Sequence, residues 1–239
     1  MLIFHLVYDN IPKLQFSLQF YVQSGQVFIS AINTLFQEIL NRQVIFMLEM
    51  ENQRYGRNKS TIVDKSIINS GRYRKKFDAV TSNKKLASLF YEKAKEMLVH
   101  RSGTEIEDMY WFDENGAEVI AAVLDETEHE CIGYSEVIKR KISRAQNVVA
   151  MHTHPHSMPP SVDDFNAAFQ NGYSYGIVIC HDGSVFVYCA EEEIPESLFT
   201  LQYAEYLLEG EEEYKAYIKT IEKMSRSYRI SLQEVEIDG

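Results

Sequence analysis

Two histidines and an aspartate in the second half of the chain have the residue types and spacing of a metal site. His152 and His154 follow the apolar run Val148 to Met151, which is typical of a short buried strand. Residues two apart on a strand point to the same face, so both imidazoles are expected to reach one point in space. Asp164 lies in the first turn of a predicted helix, from which its carboxylate could turn back to that point. Two imidazoles and one carboxylate, with water in a fourth position, make an open, catalytic zinc site.

A proline-rich loop and a helix start separate the histidines from the aspartate. Pro155, Pro159 and Pro160 exclude regular structure and predict a loop. Ser161 is a good N-cap, and Asp164 three positions later completes a capping box. Taken alone, the capping box indicates only a helix start, and a single His-x-His is a weak signal. Their combination on a strand, a proline loop and a helix start predicts a metal site.

At these residues the chain resembles the JAMM metallopeptidases, also called the JAB or MPN-plus family. The family signature is an upstream glutamate, His-x-His-Pro, a loop and Ser-x-x-Asp, matched here by His152, His154, Pro155, Ser161 and Asp164. The resemblance covers roughly residues 85 to 188 and looks most like the JAB-like proteins of bacteria, phages and mobile elements, with RadC-like proteins as distant relatives. It implies a zinc-dependent hydrolase, with one Zn²⁺ per chain, that cleaves a peptide or isopeptide bond by a metal-activated water.

The loop departs from the family pattern. Six residues, 155–160, separate His154 from Ser161, which is one fewer than is usual in the family. This leaves open whether Asp164 or Asp163 is the third metal ligand. Asp164 is preferred because it preserves the Ser-x-x-Asp spacing.

The resemblance also implies a general base, a glutamate on the strand after the first helix of the domain. Glu105 and Glu107 both stand in a strand predicted from Thr104 to Phe112. They are two apart, so alternation along a strand cannot separate them. Glu107 is preferred because it would lie deeper in the strand and because its flanking residues match bacterial family members. The competing interpretation is a solvent-facing strand glutamate.

The resemblance gives Ser161 a second role, that of oxyanion stabiliser. Its hydroxyl would donate a hydrogen bond to the oxyanion on the substrate carbonyl, and a hydroxyl that caps a helix by accepting can still donate. His156 is expected to lie at the rim or contact the substrate, because Pro155 breaks the strand before it. His181 precedes a turn and is expected to be structural.

Composition is that of an ordinary soluble globular protein. The chain has 239 residues, of which 45% are hydrophobic and 25% charged, and its net charge of −11 argues against a general nucleic-acid binder. Cys131, Cys180 and Cys189 show no CxxC spacing, which fits a reducing cytoplasm and argues against a structural thiolate zinc site. No signal peptide is predicted, and Val27 to Met50 is too polar to cross a bilayer. A cytoplasmic protein with no membrane association is therefore expected.

The elements that must position the site predict an α/β fold with a mixed sheet flanked by helices. The predicted order is a helix at Lys84–His100, a hairpin, a short basic helix, the His-x-His strand, the helix from Ser161 and a second hairpin. By resemblance this is a JAMM-like, cytidine-deaminase-like domain at residues 61–190. Residues 1–60 are predicted to form strands and an amphipathic helix of unknown role, and residues 191–239 a C-terminal helical extension.

Three other functions compete with the hydrolase. A non-catalytic MPN-type scaffold lacks the ligands, whereas here every ligand type is present. A His-x-His phosphoesterase of the PHP kind needs several later histidines, and only His181 follows His156. A RadC-like DNA-associated factor is disfavoured by the acidic charge, although the basic stretch Arg72 to Lys85 keeps it open. The expected partner is a protein or peptide substrate, such as a ubiquitin-like conjugate or a phage structural protein.

Overall fold

The structure is a computed structural model that describes residues 59–125, 127 and 132–237. The strands and the amphipathic helix predicted within the first 58 residues lie outside this range. The described elements in chain order are α1 (Lys65–Ile68), α2 (Gly71–Val80), α3 (Lys84–Arg101), β1 (Met109–Asp113), β2 (Glu118–Val123), α4 (Glu136–Ile142), β3 (Val148–His154), α5 (Val162–Asn171), β4 (Tyr175–Cys180), β5 (Val185–Ala190), α6 (Glu196–Leu208), α7 (Glu213–Ser227) and β6 (Ile230–Glu234).

Six strands form one mixed sheet in the order β2-β1-β3-β4-β5-β6. Strands β3 and β4 pair in parallel, and the other neighbours pair antiparallel. All seven residues of β3 are buried, as expected for a strand in the middle of a sheet with helices on both faces. The predicted α/β class, with a mixed sheet flanked by helices, is therefore confirmed.

Side chains of β3 alternate between two hydrophobic cores. Val149 and Met151 pack into the core that α1, α2 and α3 share with the sheet. Val148 and Ala150 pack into the opposite core, which receives side chains from α4, α5, α6 and α7. Because His152 continues the alternation from Ala150, it points toward the α5 side of the sheet.

The helix that follows the proline loop begins and ends at residues suited to these positions. The side chain of Ser161 accepts a hydrogen bond from the backbone N–H of Asp164, and Asp164 accepts one from the backbone N–H of Ser161. Gly172 ends α5 in the left-handed conformation at φ 65°, which glycine adopts without steric cost. The predicted helix and capping box are therefore present.

Strand β1 is shorter than predicted. It begins at Met109, so Glu105 and Glu107 precede the strand and do not lie within it. Gly103, at φ 85°, turns the chain after α3, and the side chain of Asp108 is bound by Arg101, the last residue of α3. These contacts hold the intervening residues against the end of the helix, and regular pairing with β3 starts only where Met109 meets His152.

The C-terminal extension at residues 191–239, predicted to be helical from Glu196 to about Tyr228, differs from the prediction in two respects. Gly210, at φ 89°, lies in the break between α6 and α7. After α7 the chain forms β6, an edge strand antiparallel to β5 that was not predicted. The C-terminal extension is thus part of the sheet and of its α5-side core. No helix in the described part of the chain is long and apolar enough to span a membrane.

Candidate metal centre

The end of β3 brings two buried imidazoles together. The Nε2 atoms of His152 and His154 lie 3.0 Å apart. The ring of His152 packs edge-on against the ring of Tyr188, with 6.4 Å between centroids. Nδ1 of His154 donates a hydrogen bond to the carbonyl oxygen of Met158 at 2.9 Å, which leaves its Nε2 as the nitrogen that can bind a ligand.

Two carboxylates complete the cluster. The Oδ1 atom of Asp164 lies 3.1 Å from Nε2 of His152, and its Oδ2 atom lies 3.4 Å from Nε2 of His154. The Oε1 atom of Glu107, a residue only 7% exposed, lies 3.7 Å from Nε2 of His154. Glu107, His152 and His154 form a buried group, with ligand atoms within 4.8 Å of one another, that could bind a metal ion.

Asp163, the alternative metal ligand, and Glu105, the alternative general base, are not part of the cluster. Asp163 is exposed on the surface of α5, although it borders the cleft. Glu105 is exposed, and its Oε1 atom lies 3.3 Å from Nε2 of the buried His156. Of each pair left open by the sequence, the structure therefore brings Asp164 and Glu107 to the two imidazoles.

The register between β1 and β3 explains the position of Glu107. Met109 pairs with His152 across the antiparallel strands, so the residue two positions earlier comes level with His154. The backbone N–H of Thr153 donates to the carbonyl oxygen of Asp108, and the backbone N–H of Asp108 donates to the Thr153 hydroxyl at 3.0 Å. These two bonds fix the backbone on both sides of the cluster.

A buried ion pair also holds this segment. The guanidinium of Arg101 binds the carboxylate of Asp108, which is wholly buried, and also donates to the carbonyl oxygen of Leu124 at 3.0 Å. The imidazole of His100 contacts the second oxygen of Asp108 at 2.7 Å. Because Asp108 follows Glu107 directly, the end of α3 determines where the Glu107 backbone lies. Sequence patterns missed this pair, since it joins a helix end to a segment outside regular structure.

The hydroxyl of Ser161 both donates a hydrogen bond to Asp164 and accepts one from it. Its hydroxyl donates to Oδ2 of Asp164 at 2.8 Å and accepts from the backbone N–H of Asp164 at 3.1 Å. A hydroxyl has a single proton, so Ser161 can donate to a substrate oxygen only by giving up its bond to the carboxylate. The predicted role as oxyanion stabiliser therefore requires a change of hydroxyl partner.

The cluster perturbs the protonation of its members. Burial by itself lowers the pKa of His154, but the nearby carboxylates of Glu107 and Asp164 outweigh it and raise the pKa to about 9. Burial raises the pKa of Asp164, and the imidazoles of His152 and His154 outweigh it and hold that pKa well below its usual range. A metal cation that binds Nε2 of His154 must therefore displace a proton at neutral pH.

The cluster could hold a metal ion. Two imidazole Nε2 atoms and a carboxylate oxygen converge, and the hydrogen bond from His154 to a backbone carbonyl is the usual way in which a zinc-binding histidine is oriented. Asp164 lies nearer to the imidazole of His154 than Glu107 does, at 3.4 Å against 3.7 Å.

Comparisons with known proteins give no relative. No protein-family model, curated protein or solved structure matches the chain.

A cleft of about 410 Å³ opens over the cluster. Among the residues that line it are His156 and four tyrosines from separate parts of the chain, Tyr134, Tyr173, Tyr188 and Tyr217. No local sequence signal marks these tyrosines, because tertiary packing alone brings them together.

His181 is buried beside β3, and its Nδ1 donates to the carbonyl oxygen of Thr61 at 2.6 Å.

Gly176 provides the space for the Tyr188 ring that packs on His152. A Cβ at Gly176 would lie 2.0 Å from Cζ of Tyr188, so the ring would have to move. We expect Gly176→Ala to lower the free energy of unfolding by about 1–3 kcal/mol through overpacking. Gly71→Ala is the matched control, since a Cβ there meets nothing within 4 Å, and it should change stability by less than about 1 kcal/mol. Urea unfolding of both variants checks this, and equal stabilities would contradict the close packing.

Proposed function

We propose that the chain is a zinc-dependent hydrolase that cleaves a peptide or isopeptide bond. The observation that carries this proposal is the convergence of two buried imidazoles and two carboxylates at one cleft. A zinc ion bound there would supply Lewis-acid activation of a water molecule and of the substrate carbonyl. His152, His154 and Asp164 would hold the metal, and Glu107 would take a proton from the attacking water and return it to the leaving amine.

The surroundings of the two carboxylates support this division of roles. Oδ2 of Asp164 accepts hydrogen bonds from both the backbone N–H and the hydroxyl of Ser161, so the carboxylate is held in one orientation, as a ligand must be. Glu107 reaches the cluster from another part of the chain, the segment before β1, at a greater distance from the imidazole of His154. A base in that position faces the substrate without being required to hold the metal.

The order of elements supports membership of the JAMM family as part of the same proposal. From α3 to β5 the chain runs helix, hairpin, helix, strand, helix and hairpin, which is the order that the resemblance implies. The substrate would then be a protein or a peptide, including a branched conjugate joined through a lysine side chain.

Purified protein is expected to contain about one zinc ion per chain, as an open site with three protein ligands requires. Elemental analysis of the wild-type protein and of His152→Ala measures this directly. The variant removes a ligand from the middle of the cluster and should lose the metal. Full zinc occupancy in His152→Ala would show that the metal binds elsewhere.

Hydrolysis can be tested without knowing the natural substrate. A proteome-derived peptide mixture, together with synthetic lysine-branched peptides, is incubated with the protein, and newly formed amino termini are labelled and sequenced by mass spectrometry. We expect new termini that disappear with a zinc chelator and return when zinc is restored. A zinc-loaded protein that produces no new termini from either substrate would instead support the non-catalytic scaffold.

A further inference from the structure

Apolar side chains that line the cleft begin directly beside the candidate metal cluster, and together they are called its apolar wall. Met109 pairs across the sheet with His152, and Ala167 lies one helical turn after Asp164 on α5. Around them the wall is completed by Ile132, Tyr134, Met158, Tyr173 and Tyr217. A substrate carbonyl placed at the cluster would bring its own side chain against this wall.

The tyrosine hydroxyl groups of the wall are already bound within the protein. The indole N–H of Trp111 donates to the hydroxyl of Tyr173 at 2.8 Å, and Tyr173 in turn donates to the hydroxyl of Tyr134 at 3.1 Å. The hydroxyl of Tyr217 donates to the carbonyl oxygen of Pro160 at 2.9 Å. Since their polar atoms have partners, these three residues present ring surface to the cleft, and Tyr173 and Tyr217 are only 7% and 2% exposed.

Charge also restricts what the cleft accepts. The charged residues that line it are Glu107, Asp163 and Asp164, and none of the described lining residues is a lysine or an arginine. Away from the metal cluster, a ligand carboxylate would therefore find no lysine or arginine to pair with. This disfavours an acidic side chain against the apolar residues of the cleft.

We propose that this wall is a subsite for a bulky, uncharged aromatic or aliphatic side chain on the residue that supplies the scissile carbonyl. Met109 and Met158 suit this role, because flexible thioether side chains adapt to rings and to branched chains alike. A volume of about 410 Å³ holds such a side chain together with adjoining peptide. The inference rests on the proposed function, since a metal ion at His152 and His154 is what places the carbonyl.

The test measures binding to the zinc-loaded protein with a set of N-acetyl amino acid hydroxamates. Each carries the same metal-binding group, so differences in dissociation constant report the side chain. By calorimetry, the phenylalanine and leucine compounds should bind at least about tenfold more tightly than the glycine compound. The aspartate compound should bind more weakly than the glycine compound. Equal affinities throughout, or tightest binding of the lysine compound, would overturn the subsite.

Two variants that replace an alanine with phenylalanine test where the side chain of the ligand binds. Ala167→Phe places a ring in the wall from α5. It should reduce the difference in dissociation constant between the phenylalanine and glycine compounds. Ala79→Phe, at an exposed position on α2 outside the cleft, is the matched control and should leave that difference unchanged. An unchanged preference in Ala167→Phe would show that the side chain binds elsewhere, which overturns the proposal.

The binding measurement separates this inference from the proposed function. Zinc-loaded protein that prefers the phenylalanine compound but cleaves nothing would refute the hydrolase, while the apolar wall would still stand as a binding site for such a side chain. Protein that cleaves peptides but binds all the compounds equally would overturn the subsite alone. No binding of any hydroxamate to the zinc-loaded protein would overturn both.

Discussion

Glu107→Gln is expected to abolish hydrolysis while the fold and the zinc content remain those of the wild-type protein. Glu107 is buried, and its carboxylate lies 3.7 Å from Nε2 of His154 without being the nearest carboxylate to the imidazoles. Glutamine has the same size and keeps one hydrogen-bond acceptor, but it cannot take a proton at neutral pH. Loss of a general base typically lowers a rate by ~10²–10⁴, so the defect should be plain.

Glu105→Gln is the matched control for this prediction. It removes the same charge two residues away, but Glu105 is exposed and faces His156 instead of the cluster. Cleavage rates, zinc content and unfolding curves are measured for both variants. If only Glu105→Gln is inactive, the base is Glu105 and the mechanism stands. If both remain active, the hydrolase proposal fails, and if Glu107→Gln loses zinc, Glu107 is a metal ligand.

The part of the site between β3 and α5 was predictable because its signals are local. An apolar run followed by His-x-His indicates a strand with both imidazoles on one face, and the Nε2 atoms of His152 and His154 do lie 3.0 Å apart. The capping pair of Ser161 and Asp164 predicts where α5 begins, since a side chain that satisfies a backbone N–H needs only its near neighbours. These signals depend only on the strand, the loop and the helix, so they hold whatever the rest of the fold is.

A local sequence pattern could not decide whether Glu105 or Glu107 lies at the cluster. The strand rule places both on one face, yet the regular strand begins only at Met109. What positions Glu107 is the buried pair of Arg101 and Asp108, which ties the segment to the end of α3. A contact between a helix end and an irregular segment has no period, so alternation alone cannot reveal it.

The structure of the C-terminal region was also only partly predictable from periodicity. Its helical patterning was visible, but Gly210 divides it, and Ile230–Glu234 adds an edge strand to the sheet. Tyr217 of α7 then reaches the cleft and donates a hydrogen bond to the carbonyl oxygen of Pro160, in the loop between the proposed metal ligands His154 and Asp164. Only the packed arrangement of α6, α7 and β6 makes this extension a part of the site.

Asp164→Ala is expected to lose zinc, whereas Asp163→Ala is expected to keep it. Both aspartates lie in the first turn of α5, so either change removes one negative charge from the same helix end, and the effect on the helix dipole is matched. The Asp164 oxygens lie 3.1 and 3.4 Å from the two imidazole Nε2 atoms, whereas Asp163 is exposed. Loss of a direct ligand should weaken zinc binding by more than the roughly 10–100-fold that is typical of an outer-shell change.

The capping box is the one complication, because Asp164→Ala also removes the acceptor for the backbone N–H of Ser161. Asp164→Asn separates the two effects: the amide oxygen still accepts that bond, but it is neutral and a poorer zinc ligand. We therefore expect Asp164→Asn to retain a stable α5 by circular dichroism and thermal unfolding, and still to bind zinc much more weakly in a chelator competition assay. If instead Asp163→Ala loses zinc and both Asp164 variants keep it, the short loop of residues 155–160 has moved the ligand by one residue.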